Sequence, residues 1–356
     1  MFVNVMKAFS IEIANVDCPL TSFIRDEYSG DITTDPQFTP RFQIEFDDVK
    51  VTDHSYVVRP PVAYDRKGIF IFDHYRNGVR INFDKVAVEH HIVTCNPKFV
   101  SAFFANILEF LIYLELLKEG AFFCHSAAFI YNGKTIICPA WGNVGKTNLL
   151  LSFLFKGATY LADDWSLIYK DGHILSLPKR ISLFEYNFLQ YPKLIDMVDG
   201  NLAPLNQLLE KIYDGYYSIS SSDVSELRNQ FQKRVKHNDL FHNQYTNASE
   251  SIDLAFFLTR DLENSGQNLS AKTLSLDHLL VKVRESLVFE QRSFRMAYSI
   301  SKGFDGVSNP FLEREEEVFS SLAHAAFATI GQVFEIDTPS QLGTDRVHQV
   351  IKQIVG

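Results

Sequence analysis

The octapeptide Ala140-Trp141-Gly142-Asn143-Val144-Gly145-Lys146-Thr147 follows an apolar run, Thr135–Cys138. It opens a helix-forming stretch, Lys146–Phe155, closed by Gly157. It fits the pattern G-x-x-x-x-G-K-[ST] at every fixed position but the first, where alanine replaces glycine. Residues of these types bind anions. In a glycine-permitted turn, successive backbone N–H groups converge on phosphate oxygens, and the following helix adds free N–H groups and a positive dipole end. Lys146 is placed to neutralise β- and γ-phosphates, and the Thr147 hydroxyl to ligate Mg²⁺. Ala140 through Thr147, with Asn148 at the head of the helix, are therefore the candidate contacts for a nucleoside triphosphate, ATP or GTP.

Asp163 and Asp164 end the next apolar run, Thr159–Ala162. Adjacent carboxylates suit two tasks, holding Mg²⁺ and taking a proton from an attacking hydroxyl. A parallel α/β layout would bring them to the carboxyl edge of the sheet, beside the loop. Without the loop, such a pair reads as a solvated strand end. His125 lies in the run Phe122–Phe129, and a lone histidine in an apolar strand is ordinarily a satisfied core residue.

These groups need a scaffold. Residues 1–98 read as β-rich, with short apolar runs (Phe9–Ala14, Phe42–Phe46, Tyr56–Val58, Gly68–Phe72, Val79–Phe83) punctuated by Pro, Gly, Asp and Asn. His90 and His91 would face opposite sides of a strand, one at the surface and one in the core. Residues 99–118 predict an amphipathic helix. Its apolar face holds Phe103, Ile107, Phe110, Leu111 and Leu114, with Asn106, Glu109 and Lys118 elsewhere. The domain boundary falls before it, at Asn96-Pro97.

Beyond it, Cys124–Tyr131 and Thr135–Cys138 form a hairpin across Asn132-Gly133. Ser166–Tyr169 and His173–Leu177 form another across Asp171-Gly172. The order strand, strand, loop, helix, strand, hairpin is an α/β arrangement. Residues 190–250 are polar, with the run SISSSD at 218–223, and read as a helical insertion. Ile252–Leu258 and Gln332–Ile336 predict strands. Asp277–Phe289, Pro310–Ile330 and Gln341–Val355 predict helices.

Bulk properties exclude several classes. A net charge of -9 argues against a nucleic-acid or anionic-membrane partner. Cys18, Cys95, Cys124 and Cys138 contain no CxxC pair, so neither a zinc site nor a disulfide scaffold is expected. A reduced, cytoplasmic protein is expected instead. The N-terminus lacks the basic start and apolar run of a signal peptide. The apolar stretch Phe99–Ile130 is broken by Glu109, Glu115, Lys118, Glu119 and His125, so no membrane span is expected.

Taken together, CHSAAFIYNGKTIICPAWGNVGKTNLLLSFLFKGATYLADDWSLI resembles the core of the HPr kinase/phosphorylase catalytic domain. That family shares its phosphate-loop fold with phosphoenolpyruvate carboxykinase. The carboxyl-terminal VFEIDTPSQLGTDRVHQVIKQI resembles the closing strand and helix of such proteins. The likeness covers most of residues 120–180, is weaker over 250–356 and is absent from 1–98. Joined to the β-rich reading of residues 1–98, it gives an α/β chain with an N-terminal β-rich domain (1–98). A phosphoenolpyruvate carboxykinase/HPr-kinase-like P-loop domain (99–356) follows, with the insertion around 190–250.

By position, the resemblance implies that the loop holds nucleotide phosphates and Thr147 ligates the metal. It makes Asp163 the general base and Asp164 a support for the metal, and it lets His125 contact phosphate or orient Asp163. Two family segments have no counterpart. Residues 179–189 read KRISLFEYNFL in place of LEIRGxGII, and no K-x-x-V-x-P-G-R loop is present near the carboxyl end. Glu185 is a further metal-ligand candidate, and Lys179 and Arg180 are phosphate-contact candidates, each weighed against an ordinary structural or surface role.

The leading expectation is a Mg-dependent kinase acting on a hydroxyl, on serine of a peptide or protein or on a small molecule. The first alternative is a nucleotide-binding regulatory protein of the same fold without catalysis. The second is a carboxykinase-like lyase, for which the arginine clamp and second-metal ligands are not recognisable. Members of the type family form hexamers, which makes a homo-oligomer an expectation, but the residues of their interfaces are not recognisable in this sequence.

Overall fold

The computed structural model describes residues 2–5, 9–13, 18–27, 32–33, 40–87, 91–99, 102–176, 179–198, 233–241, 244, 249–261, 269–339 and 344–356. His90, most of the polar insertion and the run 218–223 lie outside the described residues. The chain divides into two compact units. One comprises Met1–Cys124, Leu167–Gly172 and Leu276–Thr329. The other comprises His125–Ser166, His173–Ser275 and Ile330–Gly356.

The first unit is built on one nine-stranded sheet. Its strands are β1 (Phe2–Val5), β2 (Phe9–Ile13), β3 (Ile32–Thr33), β4 (Pro40–Phe46), β5 (Tyr56–Arg59), β6 (Val62–Asp65), β7 (Gly68–Phe72), β8 (Gly78–Ile81) and β9 (His91–Cys95). Their order is β3-β1-β2-β4-β9-β8-β7-β6-β5. Strands β5 to β9 form an antiparallel meander, while β2, β4 and β9 run parallel. A helix, α1 (Pro19–Glu27), lies within this region, which reads as β-rich from its sequence.

Helix α2 (Ala102–Lys118) is not amphipathic in the folded chain. Every residue from Ile107 to Leu117 is buried, Glu109 and Glu115 included. The reason is tertiary: helices from the carboxyl-terminal half of the same unit cover both its apolar face, at Phe110, and the side that carries Glu109, at Tyr113. Phe110 meets Phe294 edge-on at 4.4 Å, and Tyr113 approaches Phe319 at 6.3 Å. Glu115 keeps its charge because His91 lies at 2.9 Å and Lys118 at 2.8 Å. These contacts assign α2 to the first unit, whereas the sequence boundary at residue 98 would assign it to the second.

The other large sheet lies in the second unit, apart from Ala121–Cys124 and Leu167–Tyr169 of its strands, which fall in the first. Its strands are β10 (Ala121–Tyr131), β11 (Lys134–Pro139), β12 (Thr159–Ala162), β13 (Trp165–Tyr169), β14 (His173–Leu175), β17 (Ser249–Ser251), β18 (Leu254–Asp261), β19 (Ala271–Thr273) and β20 (Gln332–Pro339). A separate pair joins β15 (Ile181–Leu183) to β16 (Lys233–Val235). The large sheet runs β17-β14-β13-β10-β11-β18-β20-β19, with β12 also on β10. Asn132 and Gly133 take the positive φ values of 50° and 71° that an Asn-Gly hairpin turn requires. Helix α3 (Lys146–Leu154) packs beneath the sheet through Leu150, Phe153 and Leu154, against Phe129, Ile136 and the Ile351 side chain of the closing helix Thr344–Val355.

The Asp163–Asp164 pair does not reach the loop by the parallel arrangement expected from sequence. Strands β11 and β12 both pair antiparallel with β10, on opposite sides of it. They therefore share a direction, and the turn after β11 and the aspartates after β12 emerge at one edge. All four cysteines are buried and unbridged. No described helix is long and apolar enough to cross a membrane.

Candidate functional site

The loop is shaped by two backbone reversals. Asn143 (φ 60°) and Gly145 (φ 103°) are left-handed, the second in a region that an L side chain rarely adopts. Gly145 caps α3 without any side-chain hydrogen bond, so the helix opens with donors no cap has taken. Lys146 is buried, and its Nζ donates to the Trp141 carbonyl at 3.0 Å, bridging the two ends of the loop. Trp141, Gly142 and Asn143 form the exposed crest. The Asn143 carbonyl accepts from Arg260 Nη1 at 3.2 Å, which ties the crest to the end of β18.

Across the edge, the chain breaks between β12 and β13. Asp164 has φ 69°, and the Trp165 N–H turns back to the Asp163 carbonyl at 2.9 Å. A non-glycine residue there costs on the order of 1–2 kcal/mol. The break lets one strand line follow β10 on both sides of the pair, with the Ser126 N–H bonded to the Asp164 carbonyl at 3.0 Å. It also sends the two carboxylates to different partners. Asp163, 3% exposed, accepts the Thr147 hydroxyl at 3.0 and 3.2 Å. Asp164 pairs with His125 Nε2 at 3.2 Å and Lys179 Nζ at 3.0 Å.

Their acidities diverge accordingly. Burial, and then the neighbouring Asp164 charge, push the Asp163 carboxyl up to about 6, against the opposing pull of Thr147 and Lys146. Burial works upward on Asp164 as well, but Lys179 and His125 outweigh it and hold the group well below the usual carboxylate range. With half of its side chain exposed, solvent weakens each of these effects on Asp164, and the two adjacent cations decide the direction. His125 is buried, its ring 5.2 Å from that of Trp165.

The fold thus gathers Lys146, Thr147, Asp163, Asp164 and His125. It does not turn two of the expected contacts toward the loop mouth. Ala140 is fully buried, its N–H given to the His125 carbonyl at 3.1 Å, so it anchors the loop to the sheet. Asn148 is also fully buried. Its Oδ1 accepts from Asn187 Nδ2 at 2.5 Å and its carbonyl from the Tyr191 hydroxyl at 3.1 Å. It fastens α3 to α4 (Glu185–Gln190). Glu185 begins that helix, and its side chain lies outside the described residues. Lys179, a phosphate-contact candidate weighed against a structural or surface role, is buried and gives its ammonium to Asp164, 15 positions away.

Thr147 and Asp163 offer hard oxygen donors of the kind Mg²⁺ prefers. Among the described residues no group of three or more His, Cys, Asp or Glu could hold a metal alone. Asp164, expected beside the metal, has both oxygens in ion pairs.

No family model matches the chain, and no curated protein matches it by sequence. Among solved structures it is similar to the Hpr(Ser) kinase/phosphatase from Coxiella burnetii, at 11% identity over 65% of this chain and 89% of that one, with a TM-score of 0.24. A likeness of that degree does not establish the fold of this chain.

Proposed function

We propose that the second unit binds a nucleoside triphosphate, ATP or GTP, on the loop 140–147 and transfers its γ-phosphoryl group to a hydroxyl. The observation that carries this reading is the contact of the Thr147 hydroxyl with the Asp163 carboxylate, directly after the lysine that spans the loop. The acceptor oxygen attacks the γ-phosphorus as the bond to the β-bridging oxygen breaks, and the nucleoside diphosphate leaves. Asp163 takes the hydroxyl proton, and its raised pKa brings it nearer the operating pH, where a general base works best. Lys146 leaves the Trp141 carbonyl to meet the phosphates. Thr147 would hold Mg²⁺, which would supply neutralisation of phosphate charge. His125 and Lys179 fix Asp164, and with it the strand break that aims Asp163.

Calorimetric titration with MgATP and MgGTP tests the reading, together with release of phosphate from the nucleotide. Binding by the wild-type chain and its loss in Lys146→Ala, with an unchanged far-ultraviolet spectrum, is the expected result. No binding of either nucleotide at millimolar concentration refutes it. Binding without hydrolysis, and without labelling of any hydroxyl compound, favours a regulatory nucleotide-binding protein.

A further inference from the structure

Strand β18 runs on beside the loop. It pairs parallel with β11, Ile136 with Leu254 and Ile137 with Ala255, and Ala140 keeps the same register in its bridge to Leu258. Two residues on, that register brings Arg260 level with Gly142 on the crest. Leu254, Phe256 and Leu258 lie in the core cluster that also holds the apolar side chains of α3. Side chains alternate along a strand, so Arg260, next in that series, leaves β18 on the face where α3 begins. There its Nη1 donates to the Asn143 carbonyl at 3.2 Å.

This bond orients one peptide. In a planar trans peptide the carbonyl of one residue and the N–H of the next point in opposite directions. The Asn143 carbonyl faces Arg260, so the Val144 N–H faces away from it. Among the described residues no backbone carbonyl accepts that N–H. The Val144 side chain is packed against the core cluster, and Asn143 before it holds a left-handed φ of 60°. A turn of this kind can rotate the peptide between its two central residues while their side chains stay in place.

We propose that Arg260 is a positioning residue of the nucleotide site, holding the Asn143–Val144 peptide so that the Val144 N–H donates to a β-phosphate oxygen. The inference rests on the nucleotide reading above. The amides of such a loop cradle the phosphates nearest the nucleoside, while the lysine reaches further along the chain. The same peptide rotated by half a turn would present its carbonyl oxygen to the phosphate and replace attraction by repulsion. The other cation on the loop does not prevent this, because Lys146 holds the Trp141 carbonyl and leaves it for the phosphates. Arg260 is anchored in a neighbouring strand and keeps its carbonyl while the nucleotide enters. Its guanidinium stays charged at any working pH, which makes it a charge-assisted donor.

Calorimetry of the full chain with MgADP and MgATP tests the assignment. Arg260→Ala should weaken both nucleotides equally, by about tenfold, because the β-phosphate is common to them. In phosphate release from ATP, KM should rise about tenfold while kcat stays within about threefold, the pattern of lost ground-state binding. Arg260→Lys should recover most of the affinity, since a single donor, Nη1, meets the carbonyl. In protein labelled with ¹⁵N-valine, the Val144 amide is assigned by its absence in Val144→Ile. Its signal should shift downfield when MgADP saturates the wild type, and should not when MgADP saturates Arg260→Ala. A merely structural role for Arg260 would leave that shift in place. The calorimetric and amide readouts hold whether or not ATP is hydrolysed. Should Arg260→Ala not fold, Arg260→Gln, with a shorter stem, replaces it.

The proposal alone is overturned if the wild type binds nucleotide and the folded variants bind it as tightly, or if the Val144 shift survives in Arg260→Ala. A loss confined to MgATP overturns it as well, because Arg260 would then be reaching the γ-phosphate itself. A wild type that binds neither nucleotide refutes the nucleotide reading, and the role of Arg260 falls with it.

Discussion

The hydroxyl of Thr147 and the carboxylate of Asp163 meet at 3.0 and 3.2 Å, although sixteen positions separate them. One opens the helix after the loop, and the other ends a strand on the far side of β10. Their contact defines where a metal-bound phosphate and a proton acceptor would coincide.

Asp163→Asn keeps the shape of that contact and removes the base. Turnover is expected to fall about 10²–10⁴-fold, the usual worth of general-base catalysis. Nucleotide affinity should stay within a few-fold, because Lys146 and the loop supply most of it. In the wild type, the logarithm of kcat should decline as pH drops below about 6, where Asp163 gains its proton. Steady-state rates between pH 5 and 8, set beside calorimetric affinities, check both points. An Asp163→Asn enzyme with wild-type turnover removes the residue from the mechanism.

Asn148→Ala should behave as a structural variant. Its side chain is wholly buried and holds Asn187, so deletion leaves a buried amide without its acceptor and costs roughly 1–3 kcal/mol of stability. Nucleotide affinity should not change. Urea unfolding with a parallel nucleotide titration decides the matter, and a large loss of affinity at unchanged stability would return Asn148 to the binding site.

His348 predicts an acid-side loss of stability. It is buried against the Phe153 ring at 4.0 Å. Ser152 gives its proton to the Leu149 carbonyl at 2.6 Å, so His348 Nδ1 carries the hydrogen in its 3.1 Å contact with Ser152. Its Nε2 is buried with no partner among the described residues. Burial, and then Lys156, depress the histidine to about 4. An unfolded histidine titrates near 6.5, so between about 6.5 and 4 the unfolded chain binds more protons. Stability is therefore present above pH 6.5 and lost as pH falls through 4, by roughly 1–3 kcal/mol from this residue. His237, also depressed to about 4, first by burial, acts in the same window. His348→Phe should flatten the slope of unfolding free energy against pH without abolishing it. A variant with the wild-type slope would show that His348 is not one of the responsible groups.

Gly172→Ala tests a tight turn in the first unit. Gly172 has φ 83°, and a β-carbon there would lie 2.0 Å from the Thr329 hydroxyl oxygen and 3.2 Å from the Ala326 carbonyl oxygen. Destabilisation of roughly 2–4 kcal/mol is expected, combining backbone strain with overpacking. In a Thr329→Ala background the penalty should shrink toward the backbone component of about 1–2 kcal/mol. Equal penalties in the two backgrounds, measured by thermal unfolding, would refute the steric part.

Local patterns were legible before any coordinates. The glycine, lysine and threonine spacing, with an apolar run before it, led to a strand, a loop with left-handed residues and a helix over Lys146–Leu154. Asn132-Gly133 led to a hairpin, and the strand Thr159–Ala162 ended at the aspartates as its composition implied. These features depend on backbone conformations that a few adjacent residues dictate. Tertiary structure decided the rest. Periodicity could not reveal that α2 is enclosed on all sides, because its covering helices come from residues beyond 290. Nor could it reveal which aspartate would face Thr147 and which would pair with Lys179, since that follows from two strands running antiparallel to a third. The residues at 233, 234 and 236 are unmarked along the chain, and they line one cavity with Arg180 only when β15 and β16 pair, because a cavity lining is a property of a surface and not of a segment.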